Sequence, residues 1–268
     1  MGKELDHQMK IEYIVADPAG NTTGLVLSSI SKDLHKAVAK HLLENSPHEL
    51  EQVGFMSNCS DCDGRMDMMG GEFCGNASRS FGLYLAMTDR SKDKDKVRIK
   101  VSGSIEDLIV YTDLSSGTAR IKMPPVQKEE TLPVAGYGEL PLVVMEGISH
   151  LIIPDHEMEK EKAEALLRGL GEELATDALG LMFYDTSRNF LTPLVWVNDT
   201  GTMYWESSCA SGSAAVATFL KRGSDGPWQL AFQEPGGILE VEKDEFGNVY
   251  LGGPVGFSEV ITHQIPEP

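Results

Sequence analysis

Two patterns of apolar positions run along this chain, and the order in which they follow one another occurs twice. The stretch Phe73-Cys-Gly-Asn-Ala-Ser-Arg-Ser-Phe-Gly-Leu-Tyr-Leu85 sets small residues after a cysteine and then apolar ones at Ala77, Phe81, Tyr84 and Leu85, which is the spacing of one helix face. Ser208-Cys-Ala-Ser-Gly-Ser-Ala-Ala-Val-Ala-Thr-Phe-Leu220 does the same, with Gly212, Ala215, Val216, Phe219 and Leu220 along one side. Each predicted helix is followed by strands. Val97 to Val101 and Leu108 to Tyr111 have strand composition, and a turn at Asp113 to Gly117 leads into Thr118 to Val126. In the second half Gln229 to Phe232, a Pro235-Gly-Gly237 turn, Ile238 to Val241, a turn at Asp244 to Gly247 and Asn248 to Val255 repeat that order.

The second copy trails the first by roughly 130 residues throughout, the mark of an internal duplication. A further helix precedes each unit. Ser31 or Asp33 can cap one that carries Leu34, Val38 and Leu42, and Asp155 after Pro154 can cap one that carries Leu166, Leu167 and Leu170. The pattern predicts an α+β fold of two pseudo-symmetric domains of like topology, residues 1–135 and 136–268. Their boundary falls between Val126 and Leu140, near Gly136, Gly138 and Pro141. A length of 268 residues agrees with two domains, at roughly 150 residues each.

Composition narrows the partners. Hydrophobic residues make up 41% of the chain and no segment is apolar for the length of a membrane span. The polar segment Met1 to Lys10 has neither a secretory nor a transit-peptide pattern, so a cytoplasmic location is expected. With 23 basic against 41 acidic residues and a formal charge of -18, phosphate backbones and anionic lipid surfaces are repelled. Neither nucleic acid nor membrane is an expected partner.

There are four cysteines, Cys59, Cys62, Cys74 and Cys209. Cys59 and Cys62 form a CxxC pair in a polar loop without the second pair of ligands a structural zinc requires, so no metal is expected and an ordinary loop is the better reading. Cys74 and Cys209 stand at predicted helix N-termini, where the macrodipole and the open N–H groups favour a thiolate. One such cysteine alone would read as a small buried hydrophobe. Two in equivalent places of two repeated units require an explanation that respects the symmetry. Gly70, Gly71 and Gly75 in one half, and Ala210, Ser211 and Gly212 in the other, leave backbone N–H groups open to an anion. A carboxylate held there, with a thiolate on one face of the adjacent carbon and a thiol on the other, is an arrangement for racemisation.

The motifs resemble those of the diaminopimelate epimerase fold, a family of cofactor-independent amino-acid racemases and epimerases. The resemblance rests on Gly20-Asn21, Val53-Gly-Phe55, Gly71-Glu-Phe-Cys-Gly-Asn76, Gly147-Ile-Ser-His150, Ser208-Cys-Ala-Ser-Gly212, Pro235-Gly-Gly-Ile-Leu-Glu240 and Gly252-Gly-Pro254. It implies an active site in an interdomain cleft, with Cys74 and Cys209 as the two acid-base residues. It further implies that Gly75 and Asn76, with Ala210, Ser211 and Gly212, hold the α-carboxylate and α-amino group, and that Asn21 and His150 lie on the substrate. No pyridoxal phosphate or other cofactor is implied, the partner is a small amino acid, and a homodimer is admitted.

Other residues carry two readings. Glu72 and Glu206, two and three residues ahead of the cysteines, either receive an amino group or imidazole or serve helix-start electrostatics. His150 reads equally as a core histidine, Met68 and Met69 as core filling or the wall of an apolar pocket, and Glu157 to Glu173 as a solvated acidic face.

The departures from the family pattern bear on the substrate. No arginine occurs between Asn189 and Leu220 to grip a distal carboxylate, Met56-Ser57 follows Val53-Gly-Phe55, and Met68-Met69-Gly70 precedes the first cysteine motif. Burying a second carboxylate without a fixed bidentate donor costs several kcal/mol, so diaminopimelate is a poor fit. The Gly70-Gly-Glu-Phe-Cys-Gly-Asn76 and Glu206-Ser-Ser-Cys-Ala-Ser-Gly212 forms look closer to the histidine racemase branch. The competing readings are diaminopimelate epimerase or another amino-acid racemase, an isomerase of the phenazine-biosynthesis type, which lacks the paired cysteines, and a non-catalytic amino-acid binding protein.

Overall fold

The computed structural model describes residues 8–156, 158–174, 176–198 and 201–266; residues 1–7 of the polar leading segment and Glu157 lie outside them. The chain forms two compact units, one of Met1–Ile121 with Pro254–Pro268 and one of Lys122–Gly253. The division at 121/122 precedes the expected one at 135/136, because Gly136 and Gly138 belong to a hairpin inside the second unit. The closing segment also returns to the first unit, where it pairs with the opening strand.

In chain order the first unit holds β1 (Gln8–Asp17), β2 (Thr23–Val26), α1 (His35–Asn45), β3 (Gln52–Ser57), β4 (Gly64–Met68), α2 (Gly75–Met87), β5 (Lys96–Val101), β6 (Leu108–Asp113) and β7 (Thr118–Lys122). The second holds β8 (Lys128–Val134), β9 (Gly138–Met145), β10 (Ile148–Pro154), α3 (Lys160–Leu174), β11 (Ala178–Asp185), β12 (Phe190–Val197), β13 (Thr202–Trp205), α4 (Ala210–Leu220), β14 (Trp228–Glu234), β15 (Gly237–Lys243) and β16 (Val249–Pro254). The short β17 (Gly256–Phe257) and then β18 (Ile261–Pro266) run antiparallel to β1.

Pairing makes the duplication explicit. In the first unit β1–β2 is antiparallel, β2–β3 parallel, β3–β4 antiparallel, β4–β5 parallel, and β5–β6 and β6–β7 antiparallel. In the second, β9–β10, β10–β11, β11–β12, β12–β14, β14–β15 and β15–β16 follow the same sequence of senses. Both parallel pairs in each unit enclose a helix: α1 and α3 occupy the first crossover, α2 and α4 the second. Strand β13, antiparallel to β12, has no counterpart in the first unit.

The two helix types differ in what surrounds them. In α1 Val38, Ala39 and Leu42 are buried against Ile11, Tyr13, Val26, Val53 and Phe55, and Ile265 of β18 closes the same cluster. In α3 Ala163, Leu167 and Leu170 are buried against Leu151, Ile153, Leu179, Leu181, Leu194 and Trp196, while most of the acidic residues face outward. Burying each such side chain contributes roughly 1.5–3 kcal/mol before conformational entropy is counted. Helices α2 and α4 carry no charged stripe: from Gly75 to Leu83 every residue of α2 is buried, and in α4 Gly212 to Ala217 are. A helix without a polar side must lie inside the protein.

Several local expectations change. Helix α3 starts at Lys160, so Asp155 does not cap it; its carboxylate instead accepts from the Thr186 N–H at 2.9 Å. A 3-10 turn at Lys32–Leu34 precedes α1, and Ser31 stands ahead of that turn rather than ahead of the α-helix. The strand expected over Thr118 to Val126 ends at Lys122, before Pro124 and Pro125. Met68 is buried and Met69 packs on the α1 cluster, so both fill the core. The CxxC loop is not ordinary: Cys59 and Cys62 are joined in a disulfide, which takes both sulfurs out of contention as metal ligands.

Candidate active site

Each unit places one cysteine thiol at the same point of its fold. Cys74 is the N-cap of α2 and Cys209 the N-cap of α4, both with extended backbone (φ -128° and -125°). The same hairpin docks against the segment ahead of each cysteine. In the first unit the link between β5 and β6 brings Ser102 Oγ to the Glu72 carbonyl at 3.1 Å, and Gly103, at φ +73°, lies so close to Phe73 that a Cβ would come within 2.1 Å of its backbone nitrogen. In the second, the Pro235-Gly236 turn between β14 and β15 donates the Gly236 N–H to the Ser207 carbonyl at 2.8 Å.

The environments of the two sulfurs differ. Cys74 Sγ is half-buried and accepts from Gln52 Nε2 at 3.3 Å and from the Ala77 N–H at 3.4 Å. Gln52 Nε2 also donates to Asn21 Oδ1 and Thr23 Oγ1, both at 2.9 Å, and Asn21 Nδ2 donates to Glu51 at 2.7 Å. Asn76 reaches Asn21 Oδ1 at 3.4 Å and accepts from Nε of the fully buried Arg79 at 3.3 Å, whose Nη1 donates to the Pro254 carbonyl. The result is one polar network from Arg79 to the Cys74 sulfur, with donors aimed at the sulfur. The Cys74 thiol also faces Asn21 Oδ1, at 3.9 Å, as a donor.

Cys209 is buried, with acids around it. Its own N–H donates to Glu234 Oε2 at 2.8 Å, and the Ser213 hydroxyl donates to the other oxygen of Glu234. Burial, the facing Glu206 carboxylate, a hydrogen bond to Glu206 and the charge of Glu234 together push the Cys209 thiol well above its ordinary range. The thiolate expected from sequence at this helix terminus is therefore not favoured here, since desolvation and then the facing Glu206 carboxylate outweigh the macrodipole. Glu234 itself, fully buried, is pushed up to about 8 by desolvation.

His150, on β10, is fully buried; its Nε2 lies 2.9 Å from Ser211 Oγ, and Ser211 Oγ lies 3.7 Å from Cys209 Sγ. Burial pulls the imidazole down to about 3, so it is neutral near neutral pH. A Cβ at Gly212 would come within 2.2 Å of Met182 Sδ and 3.2 Å of Cys209 Sγ, so a larger residue here would require the Met182 side chain to move.

Of the expected site residues, Asn21, Cys74, Gly75 and Asn76 gather in the first unit, and His150, Glu206, Cys209, Ala210, Ser211 and Gly212 in the second. Glu72 is exposed as a residue, but it lies outside the first turn of α2 and desolvation pushes its carboxyl above the ordinary range, so nothing here supports the helix-start reading. Sequence reading missed Gln52, Arg79 and Glu234. Gln52 and Glu234 each stand one position ahead of a motif that was noticed, Val53-Gly-Phe55 and Pro235-Gly-Gly237.

Solved structures share this architecture. A phenazine biosynthesis protein of the PhzF family from Bacillus anthracis superposes with a TM-score of 0.71 at 12% identity, covering 96% of this chain and all (100%) of that one. A hydroxyproline epimerase from Agrobacterium vitis gives 0.67 at 12% identity, covering 97% and 94%. Together with the sequence relatives below, the duplicated α+β fold and its pair of cysteine-capped helices place the protein among the isomerases, in the racemase and epimerase class. The chain belongs to the family described as the histidine racemase CntK N-terminal domain, which it matches over residues 10–257. A histidine racemase of Fusobacterium nucleatum subsp. nucleatum is 33% identical over 264 residues, 94% of this chain and 96% of its own length. A histidine racemase of Staphylococcus aureus is 29% identical over 241 residues, 86% of this chain and 88% of that protein.

Proposed function

We propose that this protein interconverts L- and D-histidine by a two-base transfer between Cys74 and Cys209, without a bound cofactor. The observation that carries the mechanism is the contrast between two equivalently placed sulfurs, one that accepts from N–H donors and one buried beside the carboxyl groups of Glu206 and Glu234. Cys74 as thiolate takes the α-proton; the C–H electron pair stays on the carbon and spreads into the substrate carboxylate. Cys209 as thiol delivers its proton to the opposite face, leaving Cys74 protonated and Cys209 as thiolate, the pair required for the reverse direction. General acid-base catalysis supplies about 10²- to 10⁴-fold, so the N–H groups of Gly75 and Asn76, and those of Ala210, Ser211 and Gly212, must stabilise the developing carbanion and its carboxylate.

Two points support histidine as the substrate: the relatives bear that name, and no arginine between Asn189 and Leu220 is present to receive a second carboxylate. The test is circular dichroism with L-histidine and LL-diaminopimelate at matched concentrations, run beside α-proton exchange in D₂O. Histidine is expected to be turned over at least tenfold better, which corresponds to about 1.4 kcal/mol in the transition state. Cys74→Ser and Cys209→Ser should each fall below about a hundredth of the parent rate, in keeping with loss of one acid-base group. Cys209→Ser should still exchange the α-proton of the enantiomer that Cys74 attacks. Racemisation above a tenth of the parent rate in either variant would overturn the two-base reading, and a preference for diaminopimelate would overturn the substrate.

A further inference from the structure

Glu234 is a fully buried acid, and among the described residues no lysine or arginine pairs with it. Its oxygens are held by two donors, the Cys209 N–H on one and the Ser213 hydroxyl on the other. Both donors belong to the start of α4, one at the N-cap and one a turn later. Glu234 ends β14, and the next residues make the turn whose Gly236 N–H is fixed to Ser207. One hairpin tip therefore grips residues 207, 209 and 213 at once. The equivalent tip of the first unit, between β5 and β6, meets the segment ahead of Cys74 with the neutral hydroxyl of Ser102. At this hairpin tip the two units differ: a carboxyl group accepts the N–H of Cys209, whereas an alcohol donates to the carbonyl two residues ahead of Cys74.

We propose that Glu234 is a positioning residue that fixes the backbone of Cys209 and, once ionised, opposes loss of the proton from the Cys209 sulfur. Glu234 acts through Cys209, whose N–H it accepts. The other charged group facing this cluster is Glu206, whose carboxylate pushes in the same direction on both Cys209 and Glu234. As pH rises past the ionisation of Glu234, near 8, a negative charge appears beside a thiol that has still to lose its proton, and that loss is delayed. The proposal rests on Cys209 being the acid of the reaction, but its test reads the thiol directly.

The experiment is the rate of Cys209 carbamidomethylation by iodoacetamide from pH 6 to 10, followed by mass spectrometry of the Cys209 peptide. It is run in a Cys74→Ser background with the Cys59–Cys62 disulfide intact. Glu234→Gln keeps an acceptor for the Cys209 N–H and removes the charge. At pH 9 it should raise the alkylation rate about three- to tenfold, a displacement of up to about one pH unit of the curve towards acid. Ser213→Ala removes one donor from the carboxylate, delays its ionisation and should move the curve the same way by less. Far-UV circular dichroism establishes that each variant is folded, and the serine variant keeps the test available if the glutamine variant is not. Curves superimposable on the parent in folded variants would overturn the proposal. Persistence of histidine racemisation in Cys209→Ser would sink the two-base reading while leaving this titration intact.

Discussion

At the scale of single residues, the two cysteines illustrate how little a shared backbone position fixes what surrounds a sulfur. Both cap a buried helix, yet Cys74 receives a side-chain amide and a backbone N–H while Cys209 is desolvated beside Glu206 and Glu234. The side-chain donor beside Cys74 is Gln52, whose two Nε2 protons are shared among Asn21, Thr23 and the Cys74 sulfur. A hydrogen bond to a charged group is worth about 1.5–3 kcal/mol. Gln52→Leu, close in volume but without the donor, should therefore lower kcat by about 10- to 100-fold and shift the acid limb of the kcat/KM profile to higher pH. A profile that keeps its shape while only KM rises would make Gln52 a substrate contact and no more. The contrast in surroundings was not legible in the chain, because it depends on which strand ends arrive beside each helix. The cysteines themselves were legible, from a repeated Cys-plus-small-residue helix start.

At the scale of elements, the loop between β3 and β4 holds Cys59 and Cys62 three positions apart in a disulfide. The loop is fastened to β5 independently of that bond: Asp63 accepts the Arg98 N–H at 2.8 Å, its own N–H donates to the Arg98 carbonyl at 2.8 Å, and the Asp61 carboxylate meets Lys100 Nζ at 2.7 Å. A crosslink across so short a loop removes little chain entropy. Reduction with dithiothreitol should expose two alkylatable thiols at Cys59 and Cys62, with racemase activity and melting temperature nearly unchanged. A loss of more than half the activity, with Cys74 and Cys209 already reduced, would assign the disulfide a functional part. Most elements were foreseeable: the helices after Cys74 and Cys209, and the strand pairs that follow them, sit where their apolar spacing puts them. The domain boundary was not, because Gly136 and Gly138, which look like linker residues, are the two φ-positive positions of a hairpin turn. Local composition cannot tell a tight turn inside a unit from a crossing between units.

At the scale of the whole molecule, two buried groups set opposite pH limits on stability. His150 falls from 6.5 to about 3 on folding, so the unfolded chain takes up a proton first as pH drops below 6.5, and stability is lost down to about 3. Glu234 rises from 4.5 to about 8, so the folded chain keeps a proton that the unfolded one has shed, and stability is lost as pH climbs from 4.5 to about 8. Between 4.5 and 6.5 the two oppose each other; on the acid side His150 acts alone of the pair, and on the alkaline side Glu234 does. Urea midpoints measured across pH 3.5 to 8.5 should show Glu234→Gln flattening the alkaline limb and leaving the acid one, with His150→Gln doing the reverse. Midpoints that run parallel to the parent throughout would contradict the assignment. The chain's order of synthesis adds a consequence of another kind. Gln8 of β1 faces Pro266 of β18, with the whole second unit translated between them. A ribosome adding about 5–20 residues per second completes the enclosed unit first and leaves β1 with one unpaired edge for roughly ten seconds or more. An unpaired apolar edge is a template for wrong strand partners, so the flank of Ile11 and Tyr13 stays open to mispairing until β18 emerges.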